Sequence, residues 1–112
     1  IWSRLVGSEM CIRDSLDAPS SINVIKNLEE IIDHRIEEAD MSSYTYQLFK
    51  DGIKEIAKKV TEEAGEVSIA AVTKDGRVIS ESADLMYHLL VMLRAQNLNY
   101  SDVLDELELR SK

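Results

Sequence analysis

Residues 60–67 read VTEEAGEV, and they put Glu62, Glu63 and Glu66 into little more than one turn of a segment that is apolar on both sides. Phe49, Ile53, Ile56, Val60, Val67 and Ala71 recur at helical steps, and Glu63 falls on the same line. A solvated face is the ordinary explanation of clustered glutamates. The stripe position of Glu63 argues against it, because that position faces a core. Like charges this close repel, and a buried carboxylate without a partner is costly. The spacing therefore asks for a cation.

A second acidic pair follows. Glu81 and Asp84 are separated by three residues and run straight into the most apolar part of the chain, Leu85 to Leu93. Lys74-Asp75-Gly76-Arg77 is a turn, so the helices on either side should pack antiparallel. Glu66 lies eight residues before that turn and Glu81 four residues after it, which brings the two pairs to similar heights. Carboxylates converging without an arginine between them suit a hard, oxygen-preferring cation, Mg²⁺ or Mn²⁺. Zinc would call for histidine or cysteine, and only His34 and His88 are at hand. A di-iron bundle would need two Glu-x-x-His motifs, and neither histidine has a glutamate three residues before it. His88 is read as a buried, hydrogen-bonded histidine rather than a ligand.

Positioning these acids requires helices. Val24, Ile25, Leu28, Ile31, Ile32 and Ile36 predict an amphipathic helix beginning after the breaker Ala18-Pro19-Ser20-Ser21. A second is predicted from about Tyr46 through Ala71, capped by Ser43 or Thr45, with Gly52 as a bend or close contact. The flanks of the 74–77 turn are β-branched enough for a hairpin, but helical spacing resumes from Val78 to Leu93. Asn97-Leu98-Asn99 ends that third helix. Ser101 is the expected cap of a short fourth, with Asp102 and Asp105 complementing its positive end. The class is all-α, a four-helix bundle-like domain, and an all-round apolar third helix in so small a domain predicts completion by dimerisation.

Composition limits the partners. The 112 residues carry a net charge of −8, from 21 acidic and 13 basic side chains. Such a field disfavours nucleic acid and anionic membrane, and an anionic substrate would need a metal bridge or a local basic cluster. No apolar run is long enough to span a bilayer. A single cysteine excludes an internal disulfide framework, and a cytoplasmic location is expected. Residues 1–21 are set apart as a leader and 22–112 as the domain. The first fifteen, IWSRLVGSEMCIRDS, resemble translated adaptor sequence, the alternative being a disordered extension.

Glu62-Glu63-Ala64-Gly65-Glu66 followed by Glu81-Ser82-Ala83-Asp84 is similar to the signature of the all-α nucleoside triphosphate pyrophosphohydrolases. The ordered set Ser43-Tyr44-Thr45, Leu48-Phe49, Gly52, Lys58-Lys59-Val60 and Ala83-Asp84-Leu85-Met86-Tyr87-His88-Leu89-Leu90 resembles the phosphoribosyl-ATP pyrophosphohydrolase family, over about residues 23 to 111. Two positions depart from the pattern. Thr61 stands where glycine is common, and Gly65 stands where threonine is common. Many relatives are fused behind a cyclohydrolase domain, so this chain reads as monofunctional or truncated.

The resemblance implies Mg²⁺-dependent hydrolysis of phosphoribosyl-ATP to phosphoribosyl-AMP and pyrophosphate, the second step of histidine biosynthesis. By matching positions it implies metal binding by Glu63, Glu66, Glu81 and Asp84, and catalytic roles for Glu62, Glu63 and Glu66. Glu62 would orient water or sit outside the ligands. Lys58 and Lys59 would contact phosphate, although pairing with Glu62 and Glu63 in solvent explains them equally well. Ser43, Tyr44 and Thr45 would line the substrate pocket, with helix capping an equal account of Ser43. A homodimer is implied, since both chains frame each site in this superfamily. The alternatives are a general nucleoside triphosphate pyrophosphohydrolase and a non-catalytic helical dimerisation module.

Overall fold

Gly52 divides what the hydrophobic spacing presents as one long helix. In the computed structural model, which describes residues 21–112, its backbone takes φ 100° and ψ 171°. That region is reached almost only by glycine, and it cannot continue a helix. The result is a helix α2 over Tyr44–Asp51 and a separate helix α3 over Ile53–Thr73. The expected single helix is thus corrected to two, so that the all-α, four-helix bundle-like domain comprises five helices among the described residues. With α1 at Ser21–Glu38, α4 at Val78–Ala95 and α5 at Tyr100–Arg110, every element is helical. The expectations for the leader fall mostly on residues 1–20, which lie outside the described residues.

The break also explains which stripe residues reach the core. Ile56 is fully buried, whereas Phe49 and Ile53, on either side of Gly52, are exposed. The core joins four helices through Leu28 and Ile32 of α1, Leu48 of α2, Ile56 of α3, and Tyr87, Leu90 and Val91 of α4. Each aliphatic side chain buried there contributes roughly 1.5–3 kcal/mol relative to exposure. The most extensive packing among the described residues is between α3 and α4, antiparallel across the turn. That turn is helical punctuation, not a hairpin. Lys74 is left-handed (φ 56°, ψ 43°), Gly76 has φ 81°, and Asp75 Oδ1 accepts from the Arg77 N–H at 2.9 Å.

The helix ends are locally specified. Ser43 caps α2, its hydroxyl accepting from the Tyr46 N–H at 3.2 Å. Asn97, at φ 61°, ends α4 with Leu98 N–H bonded to Leu93 and Asn97 N–H to Arg94. The cap of α5 is Asn99 rather than Ser101. Asp102 Oδ2 accepts from the Asn99 N–H at 2.9 Å, which sets the helix start two residues earlier. Arg94 then ties this corner to α1 by a two-pronged bond to Asp33, at 2.8 and 3.0 Å.

Gly65 behaves unlike Gly52. It sits within α3, and a Cβ added there would meet nothing within 4 Å. Gly65→Ala is therefore expected to stabilise the protein by about 0.5–1 kcal/mol, because glycine loses more backbone freedom in a helix than alanine does. An upward shift of the urea midpoint checks this, and a downward shift would mean that α3 is not helical there.

Candidate active site

Antiparallel packing of α3 on α4 buries two carboxylates, Glu63 at 6% exposure and Glu81 at 5%. Glu63 is inside because it occupies the apolar stripe of α3. Glu81 is inside because it lies in the first turn of α4, facing the same helix pair. Around them Asp84 is half-buried, while Glu62 and Glu66 are exposed. Each buried acid is paired with a basic side chain four residues upstream, Lys59 within α3 and Arg77 at the cap position just before α4. Lys59 Nζ stands 3.4 Å from Glu63 Oε1 and 3.6 Å from Glu62 Oε2. Arg77 Nη2 donates to Glu81 Oε1 at 3.2 Å.

These pairs add basic partners to the expected constellation. Among the described residues no three of His, Cys, Asp and Glu stand together closely enough to hold a metal ion, and Lys59 and Arg77 supply compensating charge to Glu63 and Glu81 locally. The expected lack of a balancing arginine is also overturned: Arg77 has no assigned role in the sequence reading, although its four-residue spacing from Glu81 is the signal that could have found it. The donor chemistry still fits a hard cation. All the donors are carboxylate oxygens, two are buried on facing helices, and their present partners are long, flexible side chains, with that of Arg77 64% exposed.

The N-terminal turn of α2 closes one side of the acids. Tyr44 and His88 are bonded at 2.7 Å between Oη and Nε2, and Thr45 is bonded to Tyr87. The sequence segments Ser43-Tyr44-Thr45 and Tyr87-His88 thus meet in space, and consecutive residues of α2 pair with consecutive residues of α4. Thr45 is buried and turned to Tyr87, Ser43 serves the cap, and Tyr44 is half-buried at the acids. Burial raises the Tyr44 hydroxyl pKa above its usual value. Lys59 opposes this, and the charges of Glu63, Asp84 and Glu62 add to it, so Tyr44 is a neutral phenol near neutral pH. Burial works against the Lys59 charge, but Tyr44, Glu63 and Glu62 outweigh it and the ammonium holds its proton above the ordinary lysine value. Lys58 is exposed on the same helix.

Acids buried between two antiparallel helices, with cations already drawn to them, define a site for a positively charged species or for an anion brought in with one. Residues 25–111 match the family model described as phosphoribosyl-ATP pyrophosphohydrolase. The chain is 50% identical over 93 residues to the phosphoribosyl-ATP pyrophosphatase of Pyrobaculum neutrophilum, a span of 82% of this chain and 99% of that protein. It is 47% identical to the protein of the same name from Pyrobaculum islandicum, over the same shares. It is also 46% identical over 94 residues to the histidine biosynthesis bifunctional protein HisIE of Bacillus subtilis, of which it covers 45%. The chain belongs to the phosphoribosyl-ATP pyrophosphohydrolase family.

Proposed function

We propose that the chain hydrolyses phosphoribosyl-ATP to phosphoribosyl-AMP and pyrophosphate, the second step of histidine biosynthesis, with Mg²⁺ or Mn²⁺ held by Glu63, Glu66, Glu81 and Asp84. The observation that carries this reading is that a family match over residues 25–111 falls on two antiparallel helices that bury two like-charged acids between them. Two buried carboxylates are a standing cost to the fold, and a cation-binding task explains why it is met.

When bound, the cation neutralises phosphate oxygens and lowers the pKa of a coordinated water. The remaining work belongs to the chain's own side chains. Glu63 and Glu81 would hold the cation in place of their pairs with Lys59 and Arg77. Lys59, beside the exposed Glu62, would then contact phosphate, with Lys58 one residue upstream. Glu62, exposed and one turn from Glu66, takes the proton of the attacking water on its carboxylate. The water oxygen forms a bond to phosphorus, the P–O bond to the leaving pyrophosphate breaks, and the product carries the new P–O bond. Tyr44 borders the substrate, while Ser43 and Thr45 shape that border from the helix start.

The partners follow from the surface. Ile69 and Val72 near the end of α3, and Ile79 at the start of α4, are 63%, 82% and 86% exposed. An apolar tip on an otherwise acidic chain supports a homodimer in which a second copy covers it. No helix among the described residues is long and apolar enough to cross a membrane, and a cytoplasmic location is proposed on the strength of the pathway. The substrate assignment is tested by presenting phosphoribosyl-ATP, ATP and dUTP with Mg²⁺ and following pyrophosphate. Preference for phosphoribosyl-ATP is expected. Preference for another triphosphate would retain the acid site and replace the substrate.

A further inference from the structure

His88 is buried at 2% exposure, and both of its ring nitrogens are engaged. Nδ1 lies 2.7 Å from the backbone carbonyl oxygen of Asp84, and Nε2 lies 2.7 Å from the Tyr44 hydroxyl. A carbonyl can only accept, so Nδ1 carries a proton and donates it. In the neutral ring Nε2 is then an acceptor, and the Tyr44 O–H donates to it. The imidazole meets the rings of Tyr44 and Tyr87 edge-on, at centroid distances of 5.8 Å each. With the neighbouring Thr45–Tyr87 bond, this leaves the start of α2 little freedom to rotate against α4.

The Tyr44 hydroxyl has one hydrogen, and His88 uses it. What the phenol can still offer is its oxygen lone pairs, and the charged groups that act on it are Lys59, Glu63, Asp84 and Glu62. We propose that His88 is a positioning residue for the acid site. By accepting a hydrogen bond from the Tyr44 O–H, it fixes that hydroxyl as a pure hydrogen-bond acceptor toward the substrate, and the partner it selects is a hydroxyl donor such as a sugar OH. His88 does not touch the substrate; it acts through Tyr44. A tyrosine free to rotate would donate to phosphate oxygens as readily as it accepted from a sugar, so the clamp sets which end of the substrate Tyr44 can serve. The choice of substrate donor rests on the reading given under Proposed function. The tautomer does not.

Two measurements separate the ideas. Nitrogen-15 spectra of histidine-labelled protein read the tautomer without any substrate. They should show His88 with Nδ1 protonated and Nε2 unprotonated, and Tyr44→Phe should move the Nε2 resonance. A protonated Nε2, or an Nε2 indifferent to Tyr44→Phe, would overturn the proposal even if the enzyme is active on phosphoribosyl-ATP. For the kinetic arm, Tyr44→Phe and His88→Asn should each lower kcat/KM by about 10–100-fold, mainly through KM. The double variant should be no worse than the weaker single. His88→Gln, which can return an acceptor oxygen near the Nε2 position, should recover most of the loss. Additive losses, or an unimpaired His88→Asn, would reduce His88 to a packing role. Should His88→Asn fold poorly, the Gln variant and the spectra still decide. A wild-type protein inactive on phosphoribosyl-ATP but with the expected spectra would leave the clamp standing and remove only the sugar donor.

Discussion

In Glu63→Gln, pyrophosphate release from phosphoribosyl-ATP is expected to fall by at least about 100-fold, the scale on which even groups outside the immediate ligands of a metal matter. The substitution keeps the shape of the side chain and removes one buried charge. In the metal-free protein its effect on stability is expected to be neutral or favourable, because Glu63 is like-charged to Glu62 one residue before it and to Glu66 three residues after it. Loss of the Lys59 contact at 3.4 Å is the opposing effect, limited because Lys59 keeps Glu62 as a partner at 3.6 Å.

The second half of the signature concerns the metal. A cation that binds only the folded protein stabilises it by about 2.7 kcal/mol at a hundred times its Kd. For a domain of this size that is roughly 4–8 °C in Tm for each kcal/mol. Wild type should show this rise with Mg²⁺, and Glu63→Gln should not. A non-catalytic dimerisation module predicts no Mg²⁺ shift in either protein.

Gly52→Ala is the substitution expected to damage the fold most for its size. A backbone at φ 100° and ψ 171° costs an L-residue about 1–3 kcal/mol, and glycine alone holds it freely. A Cβ there would meet nothing within 4 Å, so the cost is conformational rather than steric. The chain can escape the strain by joining α2 to α3 as one helix, but that would pull Tyr44 and Thr45 away from His88 and Tyr87. Either way the variant loses stability, and activity should fall by more than the folded fraction explains. Urea unfolding and kcat/KM on the same preparation distinguish the two. An unchanged midpoint would show that the break at Gly52 is not needed.

The contrast between the two glycines shows where sequence reasoning reaches and where it stops. Helical class, the turn at residues 74–77 and the inward position of Glu63 were legible, because each follows from spacing within one helix or one turn. The break at Gly52 was legible only as a bend or close contact, because the apolar stripe keeps its three- and four-residue steps across it. Nor was the start of α5 legible, since Asn99 and Ser101 are both good caps and only the Asp102 carboxylate chooses between them.

For the site, sequence spacing identified the acids and the pairing of Lys59 with Glu62 and Glu63, but not Arg77 as the partner of Glu81, although that too is a four-residue pair. The Tyr44–His88 bond joins residues 44 apart in the chain, and no local pattern encodes it. It is nevertheless what makes the Ser43-Tyr44-Thr45 and Tyr87-His88 segments parts of one arrangement.

The most direct test is the rate of pyrophosphate release from phosphoribosyl-ATP by the wild-type chain, with Mg²⁺ present and with Mg²⁺ removed by chelation. Turnover with the metal, and its loss on chelation, is the predicted result. Folded protein that releases no pyrophosphate in either condition would contradict the assignment and return Glu62, Glu63 and Glu66 to the status of an acidic helix face, with the buried Glu63 and Glu81 merely neutralised by Lys59 and Arg77.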